Sequence, residues 1–277
     1  DFTIFNTYVS VDFTDAESNE LIGLASPENL TFEVITDNSD LISTSTGELK
    51  TIFTADVGLL SFALNPYAAV PTSDEPVKLT IKTTGESYLE DFFTLKITEE
   101  RTYSESIQLI NKVNPPDGVK VEENEDVGES DDSGETKEPI IIETEESTVE
   151  VEIPSGTIMT TEDGEPLTGS ISVQIVSVDV TEEEGLANVP GLNQPMVTES
   201  GEEISLKQPL AYTSLEITDE SGKKASRFSG QEMKITTQLP TGVTNPRTMK
   251  EIAAGDMIPS FGFNEETASW FFIGNDV

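Results

Sequence analysis

The chain contains no cysteine and no histidine. Without cysteine there is no disulfide, no thiolate metal site and no thiol nucleophile. Without histidine the commonest general base near neutral pH and the commonest transition-metal ligand are both missing, and a serine triad of the usual form is excluded. A conventional zinc site would have to be built from carboxylates alone. Aromatic residues are few, with one tryptophan, 5 tyrosines and 13 phenylalanines in 277 residues, which is thin for a sugar-stacking surface. No run approaches the ~18 apolar residues that cross a bilayer as a helix. The chain opens directly on the strand-like "DFTIFNTYVSVDF", with no signal peptide, and is expected to be a mature or trimmed chain whose leader, if it had one, was removed.

Positive charge is also scarce. Lysine and arginine number 15 against 53 aspartates and glutamates, a formal net charge of −38. Such a surface repels nucleic acid and anionic membranes and keeps the chain in solution. Divalent cations are the one class of partner it favours. The charge is −13 over residues 1–113, −8 over 114–138 and −17 over 139–277, so acidity belongs to the whole surface and is densest between the halves.

What the chain has in quantity is alternation. In the first 113 residues, period-two apolar runs recur at short intervals: Val9, Val11 and Phe13; Leu30, Phe32 and Val34; Leu60, Phe62 and Leu64; Val77, Leu79 and Ile81; Phe93, Leu95 and Ile97; Ile107 and Leu109. Turn residues fill the gaps. A helical period shows only weakly, near Ala16–Leu24. The pattern predicts an antiparallel β-sandwich. From residue 139 the style repeats, with Val149, Val151 and Ile153 ended by Pro154, a turn at Asp163-Gly164, a hairpin around Glu220–Lys224, a run of Met233, Ile235 and Thr237 that stops at Pro240, and a second hairpin carrying Phe261, Phe263, Trp270 and Phe272. In "GSISVQIVSVDV" the alternation slips between Ile175 and Val176, which predicts a β-bulge or a strand passing from one sheet to the other. At 277 residues two domains of about 100–150 residues fit. The expected architecture is all-β: two antiparallel sandwiches of immunoglobulin-like or prealbumin-like type at 1–113 and 139–277, joined by an acidic flexible linker at 114–138. Pro115-Pro116 leads into that linker, and self-repulsion keeps it extended.

Candidate sites are sparse. Two loops of the first half gather carboxylates that could hold calcium: Asp12, Asp15, Glu17 and Glu20 in one, Asp37, Asn38 and Asp40 in the other. Calcium takes oxygen ligands of this kind, although Asp, Asn and Ser are also the ordinary turn residues. In the acidic run, Asp131, Asp132 and Ser133 before Gly134 have the composition of a calcium loop without its spacing. "SGKK" at Ser221–Lys224 has the S-x-x-K spacing of penicillin-binding enzymes, but it sits at a hairpin tip and not on a helix, and the companion motifs are absent. Trp270, Phe271 and Phe272 offer flat apolar faces, for a sugar or for the core. Carboxylate pairs for glycoside hydrolysis carry no specificity in so acidic a chain.

Two stretches resemble known families. "VEIPSGTIMTTEDGEPLTGSISVQI" (Val151–Ile175) and "GDMIPSFGFNEETASW" (Gly255–Trp270) resemble a pattern of bacterial surface lipoproteins and of the β-sandwich of cartilage intermediate layer protein, over about residues 148–277. Ala268-Ser269 stands where that pattern has a glycine and one further residue before the tryptophan. In the first half, "VDFTDAESNELIGL", "GLLSFALNPYAAVPTSDEPVKLTIKTTGESYLEDFFTLKIT" and "NKVNPPDGV" resemble the carboxypeptidase regulatory-like sandwiches of the same lipoproteins, with Ser87-Tyr88 in place of their Gly-Tyr. The resemblance implies a non-enzymatic module at a bacterial outer surface, extracellular, with a lipid anchor upstream, no transmembrane segment and no cofactor. It would serve an adhesion or nutrient-uptake apparatus and meet a protein or glycan there. The alternative is a calcium-stabilised carbohydrate-binding or adhesin module.

Overall fold

The computed structural model describes residues 5–36, 38–145, 148–189, 191–192, 194–197, 203–205, 209–239, 241–245, 249–265 and 267–276. The fold is all-β. Two compact units divide the chain, the first built from residues 1–116, 188–208 and 253–277 and the second from 117–187 and 209–252.

The first unit begins with β1 (Tyr8–Asp15), β2 (Leu30–Ile35), β3 (Ile42–Ser43), β4 (Ile52–Ala55), β5 (Leu59–Leu64), β6 (Val77–Gly85), β7 (Asp91–Ile97) and β8 (Thr102–Leu109). They form two sheets, ordered β3-β5-β1-β8 and β4-β2-β6-β7. The alternating residues read from the sequence are the ones that turn inward. Val9, Val11, Phe13, Leu60, Phe62 and Leu64 from one sheet meet Leu30, Phe32, Val34, Leu79, Ile81, Phe93, Leu95 and Ile97 from the other in a single buried core. Phe13 stacks on Phe32 across the layers at 4.6 Å and meets Phe93 edge-on at 5.6 Å. The pairing is not antiparallel throughout. Between β7 and β8 the chain crosses from one sheet to the other within residues 98–101, and β8 then runs parallel to β1. Tyr103 clasps that crossing: its hydroxyl accepts the backbone N–H of Thr98 and Glu99 and donates to the Glu99 carbonyl, at 3.0–3.1 Å. The weak helical period at Ala16–Leu24 gives turns, because Asp15 binds the backbone two and three residues on.

The second unit starts with β9 (Val119–Ser130), β10 (Ile140–Glu143), β11 (Val149–Ile153), β12 (Thr157–Thr160) and β13 (Gly169–Val178), followed by the short helix α1 (Glu183–Ala187). The acidic stretch expected as a linker over 114–138 instead carries a 12-residue strand, β9. β9 pairs antiparallel with β13 from Val119↔Val178 to Ser130↔Gly169. Charge does not prevent this, because β9 is an edge strand and Glu123, Glu125, Asp126 and Glu129 stay in water, where the Debye length screens their repulsion. Val119 is buried and Val127 packs on the core. Opposite Ser172 the register shifts, and Asp126 takes φ 53° while accepting the Ser170 hydroxyl at 2.5 Å. Gly128 faces Ile140, whose side chain would lie 2.5 Å from any Cβ there. The expected slip within β13 is absent. β13 pairs unbroken with the next long strand over Ile171–Val178, and Val176 and Val178 are buried on the face opposite Ile171, Val173 and Ile175. The bulge lies on β9.

After α1 the chain contributes β14 (Pro195–Val197) and β15 (Glu203–Ser205) to the first unit. It returns to the second for β16 (Tyr212–Asp219), β17 (Arg227–Gly230), β18 (Lys234–Thr237), β19 (Thr244–Asn245) and β20 (Lys250–Glu251), then ends in the first with β21 (Ile258–Asn264) and β22 (Ser269–Asp276). The second unit holds sheets β16-β13-β9, β10-β11-β18, β12-β17 and β19-β20, and its core gathers Ile140, Ile142, Val151, Ile153, Met159, Leu167, Ile171, Val173, Ile175 and Ile217. Residues 139–277 are thus not one unit. The hairpin β21–β22 joins β14 and β15 in a sheet ordered β15-β14-β22-β21, and its aromatic face packs on β7 of the first unit. Pro240 lies outside the described residues.

Candidate functional site

The most elaborate polar arrangement lies where that sheet meets β7, and Gly191 is its centre. The Gly191 N–H donates to the Asp91 carboxylate at 3.1 Å, and its carbonyl accepts the Trp270 indole N–H at 2.8 Å. Beside it Gln194, only 1% exposed, donates to the Phe92 carbonyl at 3.0 Å and accepts the Thr94 hydroxyl at 2.7 Å. Phe263 sits between Phe92 and Trp270, with ring centres at 5.0 and 5.1 Å. A Cβ on Gly191 would come within 3.0 Å of the Phe263 ring, and φ is +67°, so glycine is required on both counts. Lys82 of β6 pairs with Glu90 at 2.8 Å and with Glu265 at 3.6 Å, and its ammonium lies over the Phe92 ring. Burial pushes the Asp91 carboxyl up to about 6; the N–H groups of Phe92 and Gly191 oppose that rise, and neighbouring Glu90 adds to it.

Of the carboxylates singled out as calcium candidates, Asp15 organises its own turn. Asp15 accepts the N–H of Glu17 at 3.1 Å and of Ser18 at 2.8 Å, the Ser18 hydroxyl at 3.1 Å, and on its second oxygen the Tyr88 hydroxyl at 3.0 Å. Asp12 points outward from β1, and Glu17 and Glu20 are exposed. Asp40 is exposed and donates its own N–H to the Asn38 side chain. Asp37 lies outside the described residues. Among the described residues no three acidic side chains come together as cation ligands. Ser221 and Lys224 are held apart in purpose: the hydroxyl donates to Asp219 at 2.7 Å, while the ammonium pairs with Glu216 at 3.5 Å. Trp270 is buried, whereas Phe271 is 45% and Ile273 63% exposed on the opposite face of β22.

One feature escaped the sequence reading although its signal is simple. "TSTGE" (Thr44–Glu48), "DDSGE" (Asp131–Glu135), "TEDGE" (Thr161–Glu165) and "DESGK" (Asp219–Lys223) form the same turn. In each, the glycine has φ of 92°, 81°, 84° and 80° in that order, and its N–H donates to the first residue's carbonyl. The first N–H donates to the fifth carbonyl, and the first side-chain oxygen accepts the fifth N–H at 3.0–3.2 Å. This is a three-residue hairpin loop closed by a left-handed glycine. Asp131 and Asp219 also take the N–H and hydroxyl of the serine two residues on. The Ser133 hydroxyl and neighbouring N–H groups hold the Asp131 carboxyl below its ordinary range. At Asp219 burial pushes upward, but the Ser221 hydroxyl and the N–H groups of Lys223, Thr168 and Ser221 outweigh it and the carboxyl also sits low. The three copies in the second unit share one end of it. Lys223 pairs with Glu165 at 3.0 Å, Thr168 donates to Asp219, and Met159 donates to the Gly134 carbonyl.

No protein-family model, no curated protein and no solved structure matches the chain. The two stretches that resemble the surface-lipoprotein pattern fall in different units, Val151–Ile175 in the second and Gly255–Trp270 in the first.

Proposed function

We propose that the chain is a non-enzymatic structural and binding module of a cell surface, of the kind that adhesion and nutrient-uptake assemblies use. The observation that carries this reading is the outer face of the sheet β15-β14-β22-β21. Phe271 and Ile273 stand exposed on it, and Phe271 lies across Gly262 of the neighbouring strand, where a Cβ would come within 2.7 Å of its ring. An aromatic spread over a strand glycine makes a flat apolar surface, and Phe271 and Ile273 adjoin each other there, both within reach of a Cβ at Gly262, as neighbouring apolar side chains at a place of contact do. Asp15, Asp131 and Asp219 are occupied in turns. Placement at an outer surface, with a lipid anchor upstream and immunoglobulin-like or prealbumin-like sandwiches, rests on the resemblance of the motifs.

The test is saturable retention of labelled protein on a glycan array and on envelope fractions of the producing cell. Retention should be lost in F271S/I273S with the melting temperature kept. Retention unchanged in that variant, or turnover of ester, peptide or glycoside substrates by the purified chain, would sink the proposal. A melting point raised by millimolar calcium and lowered by EDTA would favour the calcium-stabilised adhesin instead, since a ligand bound to the native state must stabilise it.

A further inference from the structure

We propose that the free edge of β18 is a docking site for an extended acidic segment of another protein, which adds to the sheet β10-β11-β18 as a further strand. β18 is the last strand of that sheet. The Gln238 N–H donates to the Thr148 carbonyl at 2.7 Å, which fixes the phase of the ladder. Backbone groups alternate in direction along an antiparallel strand, so Lys234 and Thr236 bond toward β11, while Ile235 and Thr237 turn their N–H and C=O groups the other way. Among the described residues nothing takes up those outward groups. The side chains show that the layer stops short there. Ile235 lies opposite Val151, and Phe228 of β17 lies opposite Met159. Val151 and Met159 are fully buried, so their partners stand on the core side too, yet Ile235 is 45% and Phe228 41% exposed. At the far end Thr237 meets the Thr213 hydroxyl of β16 at 3.2 Å and closes the core. Exposed edges are ordinarily protected by charge. β9 has its carboxylates, but β18 carries no acid.

Charge and the strand already present define the occupant. Lys223, Lys224, Arg227 and Lys234, four of the chain's 15 basic residues, fall within 223–234, with Glu232 the one acid among them. Lys223 and Lys224 pair with Glu165 and Glu216, whereas Arg227 and Lys234 have no ion pair among the described residues. Within a Debye length such a local excess outweighs the net charge of the whole chain. β11, the strand that β18 does accept, turns Val149, Val151 and Ile153 inward and Glu150 and Glu152 outward, and Glu152 stands opposite Lys234. A strand of the same alternation on the free edge sets an apolar side chain beside Ile235 and an acid toward Lys234. Backbone bonds then give affinity and the alternate side chains give choice. A second copy of this chain is the poorer occupant, because pairing two β18 edges brings like charges together.

The probe is a fluorescent peptide of residues 148–154, the β11 sequence, titrated with the full chain and read by anisotropy. Its control is the same peptide with lysine in place of Glu150 and Glu152. The acidic peptide should bind saturably and the lysine peptide at least ~10-fold more weakly. Raising salt from ~0.05 to ~0.5 M should weaken the acidic peptide's binding. Ile235→Asp, which sets a like charge on the edge itself, should abolish it. Arg227→Glu with Lys234→Glu changes only exposed side chains and should reverse the preference between the two peptides. Should Ile235→Asp fold poorly, that reversal decides. Absence of saturable binding, equal binding of the two peptides, a preference unmoved by the double charge reversal, or a dimer of the free chain that Ile235→Asp abolishes would overturn the proposal.

Discussion

At the scale of single residues, many polar side chains among the described residues serve the backbone. Asp219 illustrates the type: one carboxylate satisfies the N–H groups of Ser221, Lys223 and Thr168 and the Ser221 hydroxyl. Asp219→Ala should destabilise the second unit by roughly 1–2 kcal/mol, since lost partners cost about that much when the donors are only partly able to reach water. Asp219→Asn keeps the acceptor oxygen and should cost less at neutral pH. Because the folded carboxyl titrates below its ordinary value, its contribution is present above pH ~4 and is lost as pH falls through the folded value. Denaturant melts at pH 2.5 and 7 should therefore show a smaller acid loss in the Asn variant than in the natural chain. Residue chemistry of this sort was half legible. Asp163-Gly164 and the tip at Glu220–Lys224 read as turns from sequence, yet the common form of four turns did not, because threonine and aspartate share the first position by shape of function and not by letter. The Asp91–Gly191–Trp270 junction was illegible, since its members lie about 80–100 residues apart and nothing local to any of them signals the others.

Among elements, β9 teaches most. Counting charge alone, the acidic run reads as a solvated spacer. Position decides otherwise: valines at 119, 121 and 127 face the sheet or the core, and the acids between them line an edge where water remains. An exposed edge of 12 residues is a template for unwanted strand pairing, and carboxylates along it keep another chain away. Replacing Glu123, Glu125 and Glu129 together by threonine should leave the monomer folded and raise its tendency to associate, with light scattering growing with salt and concentration. Gly128→Val should fail differently, by forcing a side chain into Ile140, and should lower the melting temperature with no gain in association. Strands β1, β2, β5, β6 and β7 were legible because one face is apolar and the other polar. β14 and β15, three residues each, are too short to show a period, and β8 alternates as expected while giving no hint that it runs parallel to β1.

For the whole molecule, the order of segments matters more than any strand. The chain leaves the first unit after residue 116, returns at 188, leaves again at 209 and returns at 253. Cutting it at the acidic run therefore does not separate two autonomous halves. A fragment of residues 1–116 contains every member of the first core and should fold, with Phe92 and Thr94 uncovered. A fragment of 139–277 lacks β9, the partner of β13, and lacks β7, on which its hairpin packs; it should remain largely unfolded by circular dichroism. Protease should likewise spare 119–130 in the intact chain, where backbone groups are held in a ladder. Two β units in sequence and two whose segments interleave present nearly the same pattern of alternation, which is why the division was not legible.

That interleaving also fixes how the protein would carry load. Residues 5 and 276 both belong to the first unit, so a pull applied between them is borne first by the contacts within that unit. Only when the hairpin has peeled from β7 does force reach the second unit. Under stretching, the chain should yield in two events of fixed order, the second unit acting as a reserve of length released only after the first has given way.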